Sequence, residues 1–209
     1  MENLLLFNNG GSLLKSGGGA SLLYDAEIEY LQSDGNAYID LGLPCSYFSP
    51  ADTDFELKFI VTENRTQIIC GAGDDQCQFP IVNSCLRFDW TGYIWSLSNT
   101  LSIGTLYSIV QNNGQLSCNN TSISFTRSYY TNDNFYLFAQ QNSNGAVDVN
   151  TIFTGKIVSF IVKDKNTNNI RKNYVPVRKG QVGYLYETVS GQLLGNNGSG
   201  AFIIGSDKT

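Results

Sequence analysis

The sequence predicts an all-β fold, either a sandwich or a barrel, made of short antiparallel strands. Apolar and polar residues alternate in many short segments, and no stretch keeps the 3.6-residue period of an amphipathic helix. The chain has 21 Gly among 209 residues, and Gly and Asn separate the alternating segments as turn residues do. Because these segments follow one another at close and fairly regular spacing, a sandwich or barrel is favoured. The length suits one such domain with a sizeable core.

Several strands can be placed along the chain. Residues 38–41 alternate, and between Asp54 and Val61 one face is apolar while the other carries charged side chains. Residues 86–97 predict a hairpin about Thr91-Gly92, and residues 106–117 predict a second hairpin about an Asn-Gly turn. Further strands are expected at 66–70, 123–125, 135–139 and 156–162.

Residues 1–24 differ from the body at 25–209. Small apolar clusters alternate there with glycine-rich stretches, which exclude a stable helix. The clusters suggest an extended attachment arm that docks on a neighbouring chain, and the alternative is a disordered leader. The apolar residues of this arm are Leu4, Leu5, Leu6, Phe7, Leu13, Leu14, Leu22 and Leu23.

Composition excludes several classes of function. The net charge is -5, which argues against nucleic acid as a partner because phosphate binding needs clustered Lys and Arg. Histidine is absent, so Ser-His-Asp, Cys-His and HExxH chemistries are excluded. No apolar run approaches the ~20 residues of a membrane span, and the N-terminus lacks the features of a signal peptide.

The number and spacing of the cysteines favour a chain made in a reducing compartment. The five cysteines, an odd number without CxxC spacing, are Cys45, Cys70, Cys77, Cys85 and Cys118. We expect free thiols, and one or two disulfides between Cys45 and Cys85 are the alternative.

Three segments carry a resemblance to a known family. They are 28–42, which contains Tyr38-Ile39-Asp40-Leu41-Gly42, then 135–139 leading to 155–164, and 174–195, which contains Gly183-Tyr184-Leu185-Tyr186. Together they resemble the concanavalin A-like (laminin-G-like) jelly-roll modules of Bacteroidetes surface proteins and of structural proteins of their phages. The resemblance spans about 28–207, is most specific in its last segment, and between 62 and 130 extends only to the rhythm of the strands.

The resemblance implies two antiparallel sheets stacked face to face, with a binding or architectural role. We therefore expect a non-enzymatic phage virion protein of the head, fibre or tail, made in the host cytoplasm and displayed on the virion surface. Its arm would bind other virion proteins, the sandwich would form a homo-oligomer, and its loops would touch host surface glycans. The alternatives are a stand-alone bacterial carbohydrate-binding module and a laminarinase-like glycoside hydrolase.

The hydrolase alternative requires two carboxylates on one strand face. The ExDxxE pattern of that family is missing, and the nearest arrangement is Asp52, Asp54 and Glu56 at alternate positions. Phe55 and Leu57 are expected in the core, on the opposite face of the strand. These carboxylates are therefore expected on a solvated face, and we expect no catalysis.

The candidate glycan contacts are aromatic, because sugar C–H groups stack on the faces of aromatic rings. Tryptophan in a sandwich is otherwise a core residue, and the Asn residues beside the tyrosines also suit a simple turn. The candidates are Trp90, Tyr93, Trp95, Tyr129 and Tyr130.

One loop is a candidate metal site. Asp74 and Asp75 follow Gly73 and resemble the rim calcium site of laminin-G-like modules, although Ca2+ needs six or more oxygen ligands. The alternative is an acidic turn, and no other cofactor is expected.

Overall fold

The structure is a computed structural model that describes residues 6–7, 13–14, 23–73, 77–90, 93–97, 100–126, 129, 132–142 and 145–209. Two short 3-10 helices lie at Cys45–Phe48 and Val149–Thr151. The strands of these residues are β1 Leu6–Phe7, β2 Leu13–Leu14, β3 Ala26–Glu27, β4 Leu31–Ser33, β5 Ile39–Pro44, β6 Thr53–Ile60, β7 Gln67–Ala72, β8 Cys77–Val82, β9 Cys85–Trp90, β10 Tyr93–Ser96, β11 Leu106–Asn112, β12 Gln115–Cys118, β13 Thr121–Ser124, β14 Asn134–Leu137, β15 Gln140–Gln141, β16 Lys156–Asp164, β17 Ile170–Lys179, β18 Val182–Glu187, β19 Gln192–Leu194 and β20 Phe202–Ile204.

These strands form a two-sheet sandwich, as predicted. The seven-stranded sheet has the order β10-β9-β8-β7-β14-β5, and β15 pairs with β7. The eleven-stranded sheet has the order β13-β12-β11-β6-β16-β17-β18-β19, with β3 on β17, β4 on β16 and β20 on β4. The pairs are antiparallel apart from β15 with β7. The prediction of an antiparallel sandwich is therefore confirmed, and the barrel alternative is wrong.

Both predicted hairpins are present. In the first, Tyr93 lies opposite Trp90. In the second, Asn112 lies opposite Gln115, so Asn113 and Gly114 form the turn with φ of 50° and 76°. A two-residue turn with both φ positive matches the twist of antiparallel strands, and this match explains the preference for Asn-Gly.

The core lies between the two sheets and is rich in aromatic rings. Burial alternates strictly along β6, which places Phe55, Leu57 and Phe59 inside and the charged residues outside. The rings of Phe48 and Phe135 have centroids 4.5 Å apart, and Phe160 packs on both. Because the inner faces are filled by side chains in contact, ligands can reach only the outer faces, the edges and the loops.

Before residue 23, the structure describes residues 6–7 and 13–14. Strands β1 and β2 pair with each other in a two-stranded sheet, and the ring of Tyr24 packs against Tyr186 with centroids 4.9 Å apart. Leu23 is exposed, whereas Leu4, Leu5 and Leu22 lie outside the described residues. The division at residue 24 and the attachment role stay predictions.

Cysteine burial limits thiol chemistry in the sandwich. None of the five cysteines forms a disulfide bond within the described part of the chain, and all except Cys85 are buried. Burial raises the pKa of Cys45 and of Cys70, and it raises the pKa of Cys118 to about 11. Since the thiolate is the nucleophile, burial lowers the reactivity of these three thiols. Among the described residues no helix is long and apolar enough to cross a membrane.

A buried carboxylate, Glu187, holds the turn after β18. Its oxygens accept hydrogen bonds from the backbone N–H groups of Asn173, Val189 and Ser190 at 3.1, 2.9 and 2.8 Å. Lys172 Nζ lies 3.2 Å away, and the Glu187 side chain is fully buried. Burial alone would raise the pKa of Glu187, but the hydrogen bonds from Ser190, Val189 and Asn173 outweigh it and lower the pKa to about 2.

We expect the Glu187→Gln variant to lose about 2–4 kcal/mol of unfolding free energy at pH 7, because one buried oxygen becomes a donor facing other donors. A depressed pKa contributes stability above the unfolded pKa of about 4.3, and this contribution disappears as pH falls through the folded pKa. Urea unfolding from pH 7 to pH 2 should therefore show a steep loss in the parent protein and a shallower one in the variant.

The matched control is Glu29→Gln, at an exposed position, which should change the unfolding free energy by less than about 0.5 kcal/mol. Equal effects of the two variants at pH 7 would contradict the role assigned to Glu187.

Candidate functional site

The outer face of the seven-stranded sheet carries a polar groove with a volume of about 360 Å³. We call it the Asp89 groove. Its described lining residues are Thr66, Ile68, Gln78, Pro80, Val82, Asp89, Gln140, Asn142, Asp148 and Thr151.

Strand alternation places two polar side chains at the floor of this groove. Phe79 and Phe88 are in the core, so Gln78 and Asp89, next to them in sequence, point to the outer face. The two residues are register partners, and Gln78 Nε2 donates to Asp89 Oδ2 at 3.4 Å. Gln78 is only 5% exposed and Asp89 9%. A polar pair on the outer face of a sheet is ordinarily solvated, and here a wall of chain shelters it.

That wall begins at β15, which lies parallel to β7 with Gln140 opposite Gly71. A Cβ atom at Gly71 would come within 2.7 Å of the carbonyl oxygen of Cys77 in β8, so glycine permits the close approach of β7 and β8 at this point. The wall consists of β15, Asn142 and the second 3-10 helix, where the Asp148 side chain accepts a hydrogen bond from Asn150 N at 3.0 Å.

Hydrogen bonds and apolar packing hold the wall against the sheet. The guanidinium of Arg65 donates to the carbonyl oxygens of Asn150 and Ile152, at 2.8 and 2.5 Å. Gln67 Oε1 accepts from Thr154 N at 3.1 Å. Ile152 packs in a small apolar cluster with Tyr136 and Ala139. The groove is thus preformed, which reduces the entropy lost when a ligand binds.

The chemistry of the groove is that of a hydroxyl-rich ligand site. Ile68, Pro80 and Val82 supply an apolar strip, beside the amides, hydroxyls and two carboxylates of the other lining residues. Gln140 Nε2 donates to Asn142 Oδ1 at 3.2 Å. Gln140 Oε1 is buried and accepts no hydrogen bond from the residues that the structure describes. Few fixed polar groups over an apolar surface are typical of small-molecule sites.

A second groove, of about 330 Å³, lies on the outer face of the eleven-stranded sheet and contains Asp54 and Glu56. We call it the Asp54 groove. Asp54 Oδ1 accepts from Asn113 N at 3.0 Å, and Glu56 Oε1 accepts from Ser108 Oγ at 3.1 Å. Lys58 Nζ is 3.5 Å from Glu56. Both carboxylates therefore have local partners, on the solvated face expected from the sequence.

The hairpin aromatics are brought together at the edge of the seven-stranded sheet. The ring centroids of Trp90 and Tyr93 are 6.1 Å apart, and those of Tyr93 and Trp95 are 5.8 Å apart, with both pairs stacked. Trp90 is 7% exposed and belongs to the core, and Trp95 is half-buried against it. Tyr93, 53% exposed, presents the ring most open to a glycan among these three.

Tyr129 requires a correction, because its ring is inaccessible to a surface ligand. It is 2% exposed, and its hydroxyl donates to Gln111 Oε1 at 2.7 Å. Gln111 Nε2 in turn donates to the carbonyl oxygens of Phe48 and Thr53 at 2.8 and 2.9 Å. Tyr129 is thus part of a buried polar network that joins β11 to the start of β6. Tyr130 lies outside the described residues.

The candidate calcium ligands Asp74 and Asp75 also lie outside the described residues. Within the described part of the chain, no group of three or more His, Cys, Asp or Glu side chains could hold a metal ion. The calcium site at 74–75 stays a prediction.

The sequence interpretation missed the Asp89 groove. No motif marks it, since its lining residues come from five separate stretches of the chain. The available signal was weak: Gln78 is a polar residue in the otherwise apolar segment 77–82, and Asp89 lies between the aromatic residues Phe88 and Trp90.

Comparison with solved structures supports the fold. No protein-family model matches the chain, and no curated protein matches it in sequence. A crystal structure of a candidate carbohydrate-binding protein from Bacteroides ovatus is similar to this chain, with a TM-score of 0.59 and 13% identity over 88% of the chain. The chain spans 61% of that protein's length. At this identity the likeness shows a shared fold alone.

The heptameric SAP-like pentraxin of Limulus polyphemus is more distant. Its TM-score is 0.46 at 11% identity, over 90% of this chain and 92% of the pentraxin.

We expect Tyr129→Phe to destabilise the sandwich by about 1–3 kcal/mol, because it leaves Gln111 Oε1 buried without the donor that now satisfies it. Urea unfolding would measure the change. Tyr93→Phe, at the exposed end of the aromatic stack, is the comparison and should alter stability by less than about 0.5 kcal/mol. Full stability of Tyr129→Phe would contradict the buried network.

Proposed function

We propose that this protein binds carbohydrate in the Asp89 groove and that it has no catalytic activity. The observation that carries the proposal is the sheltered Gln78–Asp89 pair on the outer face of a sheet, within a walled groove of about 360 Å³. Saccharide hydroxyls are donors and acceptors together, and amide and carboxylate side chains offer complementary groups at fixed positions.

The shape of the groove supports the same ligand class. Sugar rings have apolar C–H faces, and Ile68, Pro80 and Val82 supply the apolar strip on which such a face can lie. Because the wall is tied to the sheet through Arg65, binding requires little rearrangement.

The similar Bacteroides ovatus protein, described as a candidate carbohydrate-binding protein, agrees with this proposal. That agreement rests on a shared fold, and a fold hosts many functions. The groove of this chain is therefore the main support.

The proposal of a binding protein over a hydrolase rests on the Asp54 groove. A glycosidase needs one carboxyl group as acid and another as nucleophile or base. Asp54 and Glu56 both accept hydrogen bonds from neighbouring groups, in arrangements that stabilise the sheet. The chain has no His that could replace either of them.

The biological setting remains the prediction of the sequence resemblance. Display on a virion surface, the arm that binds other virion proteins, and the homo-oligomer belong to that prediction. Carbohydrate binding in the Asp89 groove fits it and fits equally a bacterial carbohydrate-binding module.

Binding can be tested on an array of bacterial and plant polysaccharides, followed by calorimetric titration of the ligand that binds most tightly. Asn142→Ala should weaken binding at least about tenfold, equivalent to about 1.4 kcal/mol, through loss of a polar contact at the groove wall. The matched control is Asn112→Ala in the Asp54 groove, which should stay within about twofold. Absence of binding to any glycan, or a loss confined to Asn112→Ala, would overturn the proposal.

Absence of catalysis can be tested by incubation with laminarin, agar, carrageenan and bacterial capsule. We expect no release of reducing ends over a day at a protein concentration that suffices for binding. Release that disappears in Asp54→Asn or Glu56→Gln would show that the protein is a hydrolase and that the catalytic site is the Asp54 groove.

A further inference from the structure

Three side chains meet beside the wall of the Asp89 groove. Gln67 is the first residue of β7, Glu63 precedes that strand, and Thr154 follows the second 3-10 helix. The Thr154 hydroxyl donates a hydrogen bond to Glu63 Oε1, and its oxygen lies 3.3 Å from Gln67 Oε1. This hydroxyl therefore contacts both a carboxylate and the carbonyl group of a primary amide.

The amide group of Gln67 is held in one orientation. Its Nε2 donates to the backbone carbonyl oxygen of Glu63 at 3.1 Å, and its Oε1 accepts from Thr154 N at 3.1 Å. Gln67 is also fully buried. The amide carbonyl is thus kept beside the Thr154 hydroxyl, and such fixed proximity is what an acyl transfer within one chain requires.

Glu63 is placed to accept a proton from that hydroxyl. Hydrogen bonds from Thr154 and Arg65 lower the pKa of Glu63, so its carboxylate is ionised at neutral pH. A hydroxyl that donates to a carboxylate is the arrangement of an activated nucleophile. A carboxylate with a lowered pKa is a weak base, but a reaction that happens once in the lifetime of the molecule needs no high rate.

The backbone N–H of Thr154 supplies a third element. Its hydrogen bond ends on Gln67 Oε1, the atom on which negative charge develops when a nucleophile adds to the amide carbon. Fixed N–H donors at that atom stabilise the tetrahedral intermediate of acyl transfer. Nucleophile, base and oxyanion donor therefore converge on one amide group.

We propose that Thr154 and Gln67 form an ester cross-link spontaneously after folding. Thr154 Oγ1 attacks Gln67 Cδ, and the hydroxyl proton passes to Glu63. The Cδ–Nε2 bond then breaks as Glu63 returns the proton to the nitrogen, and ammonia leaves. One C–O bond replaces one C–N bond, and nothing is oxidised or reduced. Because the side chain of Glu63 is half exposed, ammonia has a path to the solvent.

The cross-link gives the wall of the Asp89 groove a covalent support. It joins positions 87 residues apart in sequence, at the start of β7 and just after the second 3-10 helix. A bond that closes so long a loop restricts the unfolded chain, as a disulfide does. This inference is independent of carbohydrate binding, since it concerns the attachment of the wall and not the ligand.

Intact-mass spectrometry of the full chain under denaturing conditions tests the cross-link. After storage for several days at pH 8, we expect the main species to be lighter than the calculated mass by one ammonia. Trypsin should then release peptide 66–87, which contains Gln67, joined to peptide 128–156, which contains Thr154. Hydroxylamine, which cleaves esters, should separate the two peptides.

Three variants assign the roles. Thr154→Ala lacks the nucleophile and should keep its full calculated mass. Glu63→Gln keeps the shape of the side chain without its charge, and should form the cross-link at least about tenfold more slowly. The matched control is Thr188→Ala, because the Thr188 hydroxyl accepts a hydrogen bond from the amide nitrogen of Asn173 at 3.1 Å. This control should lose ammonia as the parent protein does.

The joined peptide in the parent protein decides the question, even if Thr154→Ala does not fold. A parent protein at its full mass, without the joined peptide, would overturn the proposal. A loss of ammonia that persists in Thr154→Ala would also overturn it, since the loss would then arise elsewhere, as by cyclisation of Asn113 onto Gly114. Equal rates in Glu63→Gln and the parent protein would contradict the role of Glu63 as the base.

Discussion

Packing of aromatic rings between two sheets is the constraint on which the rest of this structure depends. Phe48, Phe135, Phe160 and Tyr174 form a continuous series of ring contacts, and burial of each such side chain contributes on the order of 2 kcal/mol. Since this packing uses the inner face of both sheets, recognition is left to the outer faces. The two outer faces differ mainly because one of them is walled by β15, Asn142 and the second 3-10 helix.

The attachment of that wall explains why a groove persists. Glu63 accepts hydrogen bonds from Thr154 and Arg65, and these lower the pKa of Glu63. The same Arg65 binds two carbonyl oxygens of the wall. A loop held at several points by polar contacts and by the buried Ile152 keeps the polar floor sheltered without closing over it, as a preformed binding site requires.

The local pattern of apolar, polar and turn residues predicted much of the fold and little of the Asp89 groove. The alternation in β6 and the Asn113-Gly114 turn are local signals, and both are confirmed. The strand that carries Gln78, β8, escaped prediction because residues 77–82 are buried on both faces and show no alternation. Tyr129 was misassigned because its partner, Gln111, is 18 positions away. The Asp89 groove is lined by residues as far apart in sequence as Thr66 and Asp148. The order of the strands in the sheet brings these residues together in space.

Binding of a saccharide to the outer face of the seven-stranded sheet can be measured by NMR. Side-chain amide resonances of Asn and Gln, followed by NMR during titration with a bound oligosaccharide, report on it directly because both grooves contain such groups. We expect shifts of the amides of Gln78, Gln140 and Asn142, with those of Asn112 and Asn168 in the Asp54 groove unchanged. Shifts confined to the second set would place the ligand on the opposite sheet and contradict the account.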